Sequence, residues 1–204
     1  MRSNSNHKLS AVLFILSLNL LFIGAAWSEG LPRAFNGKDF SGWQVPENNI
    51  WWQVADGVVI ATSDEKRTGS ILWTKHEYKN FIIEFDYKNG FGTVDTGVFL
   101  RTDKEQIQIG MSGSLKRDMT GSPYIAGKGY PVEAKGVADL LKKDTWNSMT
   151  IVAKGDSYSV WLNGGFVLNY TSETAIHKGP IGLQLHPNNE MSIHFRRIRI
   201  AELD

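Results

Sequence analysis

Ser157-Tyr158-Ser159-Val160-Trp161-Leu162-Asn163-Gly164-Gly165-Phe166-Val167-Leu168-Asn169-Tyr170 decides the fold class. Two runs rich in β-branched and aromatic residues flank Asn163-Gly164-Gly165, and these three supply the positive φ angles that a tight turn between right-twisted strands requires. The stretch reads as a β-hairpin. Outward from it in both directions the same texture recurs, as short apolar runs at 51–54, 58–61, 71–74, 81–87, 96–101, 106–109, 148–154, 182–186 and 192–200, separated by Gly, Asn, Asp and Pro. No amphipathic helical period interrupts them after residue 30. Frequent short strands without crossover helices imply an all-β chain built as a two-sheet antiparallel sandwich. The least regular stretch, 111–143, carries Gly113, Gly121, Gly127, Gly129 and Gly136 with Pro123 and Pro131. So long a loop in a compact domain is expected to serve function.

The 204 residues, 42% hydrophobic and 21% charged, make one domain of ordinary size. Twenty-two Lys and Arg against 21 Asp and Glu leave a formal charge of +1, too little to attract nucleic acid or an anionic membrane. The absence of Cys removes disulfides, thiolate nucleophiles and Cys-ligated metals. Residues 1–28 run from Arg2, His7 and Lys8 through the apolar stretch 9–23 to Gly24, Ala25 and Ala26, the order of a secretory signal peptide. Cleavage is expected after Ala26 or after Ser28. That leaves residues 29–204 as a nearly neutral domain, secreted or periplasmic and free of the membrane.

Period-two alternation sorts side chains by face. Phe81, Ile83, Phe85 and Tyr87 take one face of their strand, so Glu84 and Asp86 share the other. The same rule groups Phe99 with Arg101, Gln106 with Gln108, Gln184 with His186, and Ser192 with His194. Polar faces of Gln, Arg, His and acids suit a sugar, which asks for many hydrogen bonds. Solvated sheet faces show the same alternation. The tryptophans Trp43, Trp51, Trp52, Trp73, Trp146 and Trp161 supply core, with Trp51 or Trp52 the expected exposed ring for stacking on a sugar.

Fingerprints of nucleotide-binding loops, zinc proteases and serine hydrolases are missing. His186 and His194 could meet Glu84 or Asp86 at a metal, or serve as hydrogen-bonded structural residues. Glu84 and Asp86 approach from one side, which suits the two-carboxylate glycosidase mechanism badly.

The blocks Phe35-Asn36-Gly37-Lys38-Asp39-Phe40-Ser41-Gly42-Trp43, Trp52-Gln53-Val54-Ala55-Asp56-Gly57-Val58, Thr96-Gly97-Val98-Phe99-Leu100-Arg101, Val160-Trp161-Leu162-Asn163-Gly164, Gly179-Pro180-Ile181-Gly182-Leu183-Gln184 and Phe195-Arg196-Arg197-Ile198-Arg199-Ile200 are similar, in this order, to the 3-keto-disaccharide hydrolase domain family. The resemblance spans residues 34 to 203. It implies a concanavalin-like, laminin G-like jelly roll acting on glycosides whose C3 hydroxyl has been oxidised to a ketone. Many members of the family carry Glu at the place of Gln106 and an Asp near Gly110 and Met111, and Asp118 could return a carboxylate from a different position. A C3 ketone acidifies the C2 proton, so a base can drive elimination of the anomeric substituent, followed by hydration. The resemblance points to His186 as base, Arg101 as the cation facing the enolate, and Asp118 or Glu84 as proton donor. Gln106, Gln108, Gln184, Asp86 and His194 would contact the sugar, and a divalent cation could assist. The rival expectation is a non-catalytic carbohydrate-binding module on the same fold. Arg101 and His186 are expected to share one groove.

Overall fold

The computed structural model describes residues 30–204. The signal peptide expected at 1–28 lies outside the described residues. Thirteen strands and one turn of helix follow in the order β1 (Trp43–Gln44), β2 (Trp52–Ala55), β3 (Val58–Thr62), β4 (Ser70–Tyr78), β5 (Phe81–Gly92), β6 (Asp95–Leu100), β7 (Glu105–Gly110), β8 (Pro123–Ile125), α1 (Val137–Leu140), β9 (Asn147–Lys154), β10 (Ser157–Leu162), β11 (Gly165–Thr171), β12 (Gly179–Leu185) and β13 (Met191–Glu202). Every run read from the sequence is a strand. The two-residue β1 and three-residue β8 were not legible, being too short to show a period.

All pairings are antiparallel and form two sheets. One has six strands in the order β1-β4-β12-β6-β7-β8, the other seven in the order β11-β10-β9-β5-β13-β3-β2. Alternate residues of both sheets meet in one core. Leu72, Val98, Ile107 and Leu183 come from the six-stranded sheet, and Ile83, Phe85, Val160 and Phe195 from the seven-stranded one. Burying such side chains is the main force holding the layers together, worth roughly 1.5–3 kcal/mol each. The opposite parity of every strand is thereby turned outward, giving the molecule two outer faces.

The β10–β11 hairpin turns on two residues rather than three. Asn163 (φ 49°) and Gly164 (φ 83°) take the left-handed conformation, while Leu162 pairs with Gly165. Gly165 is needed for a different reason: a β-carbon there would lie 2.4 Å from the Leu140 side chain of α1. The stretch 111–143 is largely ordered structure. β8 and α1 belong to it, and Met119, Thr120 and Ser122 are buried, with the Ser122 carbonyl accepting from the Gln108 amide.

Candidate functional site

The outer face of the six-stranded sheet is organised in rows across its strands. Trp73 pairs with Gly182, Gly182 with Phe99, Phe99 with Gln106 and Gln106 with Tyr124. With no side chain on Gly182, the Trp73 and Phe99 rings stack across it at 5.6 Å between centroids. In the next row Ile71 pairs with Gln184, and Gly97 with Gln108. Gly97 is the floor: a β-carbon there would come within 2.7 Å of the Ile107 carbonyl and 2.9 Å of the Gln106 carboxamide.

Around this floor the polar groups are chained. Gln106 Nε2 donates to Gln108 Oε1 (3.2 Å), and Gln108 Nε2 donates to Asp95 Oδ1 (2.7 Å) and to the Met111 carbonyl (3.1 Å). Asp95 Oδ2 accepts from the Gly113 amide at 2.9 Å. Among the described residues four buried polar atoms lack a hydrogen-bond partner, and two of them, Gln106 Oε1 and Gln184 Oε1, lie on this face; the others are Tyr87 Oη and Arg101 Nη2. Leaving a buried acceptor unsatisfied costs about 1–3 kcal/mol, and a ligand hydroxyl would recover it. Tyr130 stands edge-on to Tyr124 at 5.3 Å; burial raises the pKa of its phenol, with Asp95 adding to the effect against the Ser112 hydrogen bond.

His186 follows Gln184 by two residues at the end of β12, half-buried. Its Nδ1 contacts the Pro187 carbonyl at 2.6 Å. A carbonyl only accepts, so Nδ1 carries a proton, and in the neutral ring Nε2 is the nitrogen left to act as base. The structure thus brings Gln106, Gln108 and Gln184 onto one face, and His186 follows directly after β12 ends at Leu185.

The other expected site residues lie elsewhere. Arg101 does not face a groove shared with His186. It follows Leu100, which pairs with Ile181 at the start-of-β12 end of the sheet, five residues before His186 at about 3.3 Å each. Its backbone is left-handed (φ 66°), which swings the side chain off the Phe99 parity. The guanidinium is buried and donates to the carbonyls of Lys79 (2.6 Å), Gly155 (2.9 Å) and Ile176 (3.0 Å). Burial lowers its pKa, with Tyr158 and Glu105 opposing. Arg101 is a structural tie.

Glu84, Asp86 and His194 stand on the outer face of the seven-stranded sheet, behind the core. Asp86 accepts from Arg196 Nε (3.0 Å) and pairs with Arg197 Nε (3.2 Å), and Arg196 lies 4.0 Å over Trp146. Burial, then the Lys88 charge, holds His194 below the usual histidine pKa. These residues cannot join His186 at a metal or a sugar, because two sheets separate them. Asp118 occupies the strap beyond β7, bridged to Met111; its Oδ1 accepts from the Thr120 amide at 2.8 Å, and it lines a cleft with Lys142, Lys143 and Asn147 that includes none of Gln106, Gln108 and Gln184. A divalent cation does not fit the carboxamide face: no group of three or more His, Asp and Glu occurs among the described residues, and both oxygens of Asp95 are committed.

Sequence reading missed Asp95, which opens β6 one residue before the run read from the sequence and shares the parity of Gly97 and Phe99. It missed Tyr124 and Tyr130 because β8 shows no period. Trp73, rather than Trp52, joins Trp51 as a half-buried ring beside the site. Trp52 is buried and its Nε1 donates to Ser70 Oγ.

Comparisons with known proteins bear on what this face does. A candidate glycosyl hydrolase from Parabacteroides distasonis is 25% identical, with a TM-score of 0.64 over 85% of this chain and 100% of its own. A second from the same organism is 21% identical, with a TM-score of 0.66 over 86% of this chain and 95% of its own. A carbohydrate-binding module from Bacillus subtilis shares the fold at 15% identity and a TM-score of 0.54, over 79% of this chain and 96% of its own. No functionally curated protein matches the chain. Residues 32–201 match the 3-keto-alpha-glucoside-1,2-lyase-like domain family.

Proposed function

The chain belongs to the 3-keto-alpha-glucoside-1,2-lyase-like domain family, and from that premise we propose that it cleaves 3-keto-glycosides on the outer face of its six-stranded sheet. The observation that carries this reading is the pair of buried, partnerless carboxamide oxygens of Gln106 and Gln184 beside the Gly97 floor and the Trp73–Phe99 stack. Sugar hydroxyls donate to such oxygens, and the apolar face of a pyranose lies against an aromatic ring.

His186 Nε2 takes the C2 proton. The C2–H pair moves toward C3, placing charge on the ketone oxygen, and returns to form the C1–C2 double bond as the C1–O bond breaks. The leaving group departs with that bonding pair and takes a proton from solvent; water then adds across C1–C2, its oxygen to C1, while the proton held on His186 Nε2 goes to C2 and the water's remaining proton is released. Gln184, two residues before the base, offers an amide N–H to the developing oxyanion, a stabilisation of the kind that preorganised donors provide. Gln108, held by Asp95, fixes Gln106 in place. The role assigned by resemblance to Arg101 passes to carboxamide N–H groups, and neither Asp118 nor Glu84 reaches this face as acid. The charged-apolar-small order of residues 1–28 supports action outside the cytoplasm.

The test is turnover of a 3-keto-disaccharide against its unoxidised parent, with monosaccharide release and deuterium incorporation at C2 as readouts. Release and exchange from the keto sugar alone are expected. His186→Ala should cut turnover about 100-fold, the usual worth of a positioned base, while leaving binding nearly unchanged. Sugar binding without any turnover would make the chain a carbohydrate-binding module instead.

A further inference from the structure

Beside the carboxamide row lies a cleft of about 530 Å³ with Gln184 and Trp73 in its wall, so it is continuous with the face assigned to the sugar. Its size falls in the range that holds small molecules. Trp51, Trp73, Ile71, Pro46 and Pro187 line it. Its polar atoms are mostly engaged already. Ser70 Oγ accepts from Trp52 Nε1 at 2.9 Å, Thr68 Oγ1 donates to Asp64 Oδ2 at 2.9 Å, and Trp51 Nε1 donates to Asp64 Oδ1 at 3.2 Å. With Gln184 Oε1 taken by the sugar, what remains for a ligand is Glu47, the Ser70 O–H and the lone pairs of Thr68 Oγ1. The loop that forms one wall also leaves Val45 and Ile50 42% and 63% exposed.

We propose that this cleft receives an aromatic leaving group, so that the substrate joins the keto sugar to an aryl aglycone; the proposal rests on the reading of the adjacent face as the sugar site. A second hexose would bring hydroxyls around its whole rim against walls of Trp51, Trp73, Ile71, Pro46 and Pro187, and each hydroxyl facing those walls would be desolvated at a loss. A flat ring needs indole faces and apolar walls, which are what the cleft offers. The chemistry agrees. A phenol has a pKa near 10, about that of the tyrosine side chain, so its oxide leaves C1 with the bonding pair without prior protonation. The carboxylate on the sugar face, Asp95, is held by Gln108 and Gly113 and is not free to act as an acid.

The experiment compares phenyl 3-keto-glucoside, methyl 3-keto-glucoside and a 3-keto-disaccharide. Affinities are measured by calorimetry on His186→Ala, to prevent consumption, and kcat/KM on the wild type. The phenyl glycoside should bind about tenfold or more tightly than either of the others, consistent with adding ring stacking to the same sugar contacts. Trp51→Ala should bring phenyl affinity down to the methyl value without changing the latter, and Trp51→Phe should restore most of the preference. Equal affinity for phenyl and methyl glycosides, or a preference for the disaccharide, overturns the aglycone cleft and leaves the sugar site standing. Binding and turnover of none of the three overturns both. The wild-type kcat/KM comparison requires no variant to fold.

Discussion

The two outer faces of this protein carry the same kind of residues and do opposite things with them. On the seven-stranded sheet, Asp86 is held by two arginines, and Arg196 is laid over Trp146. On the six-stranded sheet the carboxamide chain from Gln106 to Asp95 leaves Gln106 Oε1 without a partner, and Gln184 Oε1 on the same face has none either. One face is neutralised by its own neighbours. The other carries a cost in the free protein that a ligand would relieve, and that difference, rather than polarity, separates a site from a solvated sheet.

Each face has one histidine, and exchanging them gives the largest expected contrast. His186→Ala should lower turnover about 100-fold while His194→Ala leaves it within twofold, as steady-state assays would show. Loss of turnover on the His194 side would undo the assignment of faces.

Next in size is Arg101→Ala. Three carbonyls lose a charged donor and a buried side chain is removed, so stability should fall by about 3 kcal/mol, or roughly 6–12 °C in Tm. Activity per folded molecule should persist, because the tie is remote from His186. A variant of unchanged Tm that binds no sugar would return Arg101 to the site.

Gln184→Met sharpens the comparison from the other side. Sugar affinity should drop about tenfold while stability stays level or rises, since the substitution removes an acceptor that is unsatisfied when buried. Asp86→Ala should do the reverse at smaller scale, costing about 1 kcal/mol or less and leaving sugar affinity alone.

The smallest effect is a pH dependence on the seven-stranded face. Burial and Lys88 depress the pKa of His194 in the folded state, so folding favours its neutral form. Its contribution to stability is therefore present above the unfolded value near 6.5 and is lost as pH falls through it toward the folded value. Denaturation midpoints should decline over that window, and His194→Gln should flatten the decline.

Much of the fold was open to reading because strands announce themselves locally. The hairpin at 157–170 needed only Asn163-Gly164 between two alternating runs, and even there Gly165 was misread as a turn residue when its lack of a side chain makes room for Leu140. Parity correctly paired Gln106 with Gln108, whose side chains are hydrogen-bonded to each other. It failed at Arg101, where a left-handed residue ends β6 and the alternation with it.

A two-residue period determines which neighbours along a strand share a face, and so the sequence alone determined the strands, the tight turn and the grouping of Gln106 with Gln108. Which sheet each strand joins is settled by pairings between segments far apart in the chain, for which no local pattern exists. Insertion of β12 between β4 and β6 set Gln184 and Trp73 beside the Gly97 floor, and pairing of β5 with β13 carried Glu84, Asp86 and His194 to the far side of the core. Only the packed structure decided which polar groups found partners and which were left for a ligand, because hydrogen-bond satisfaction belongs to the neighbours that long-range pairing brings together.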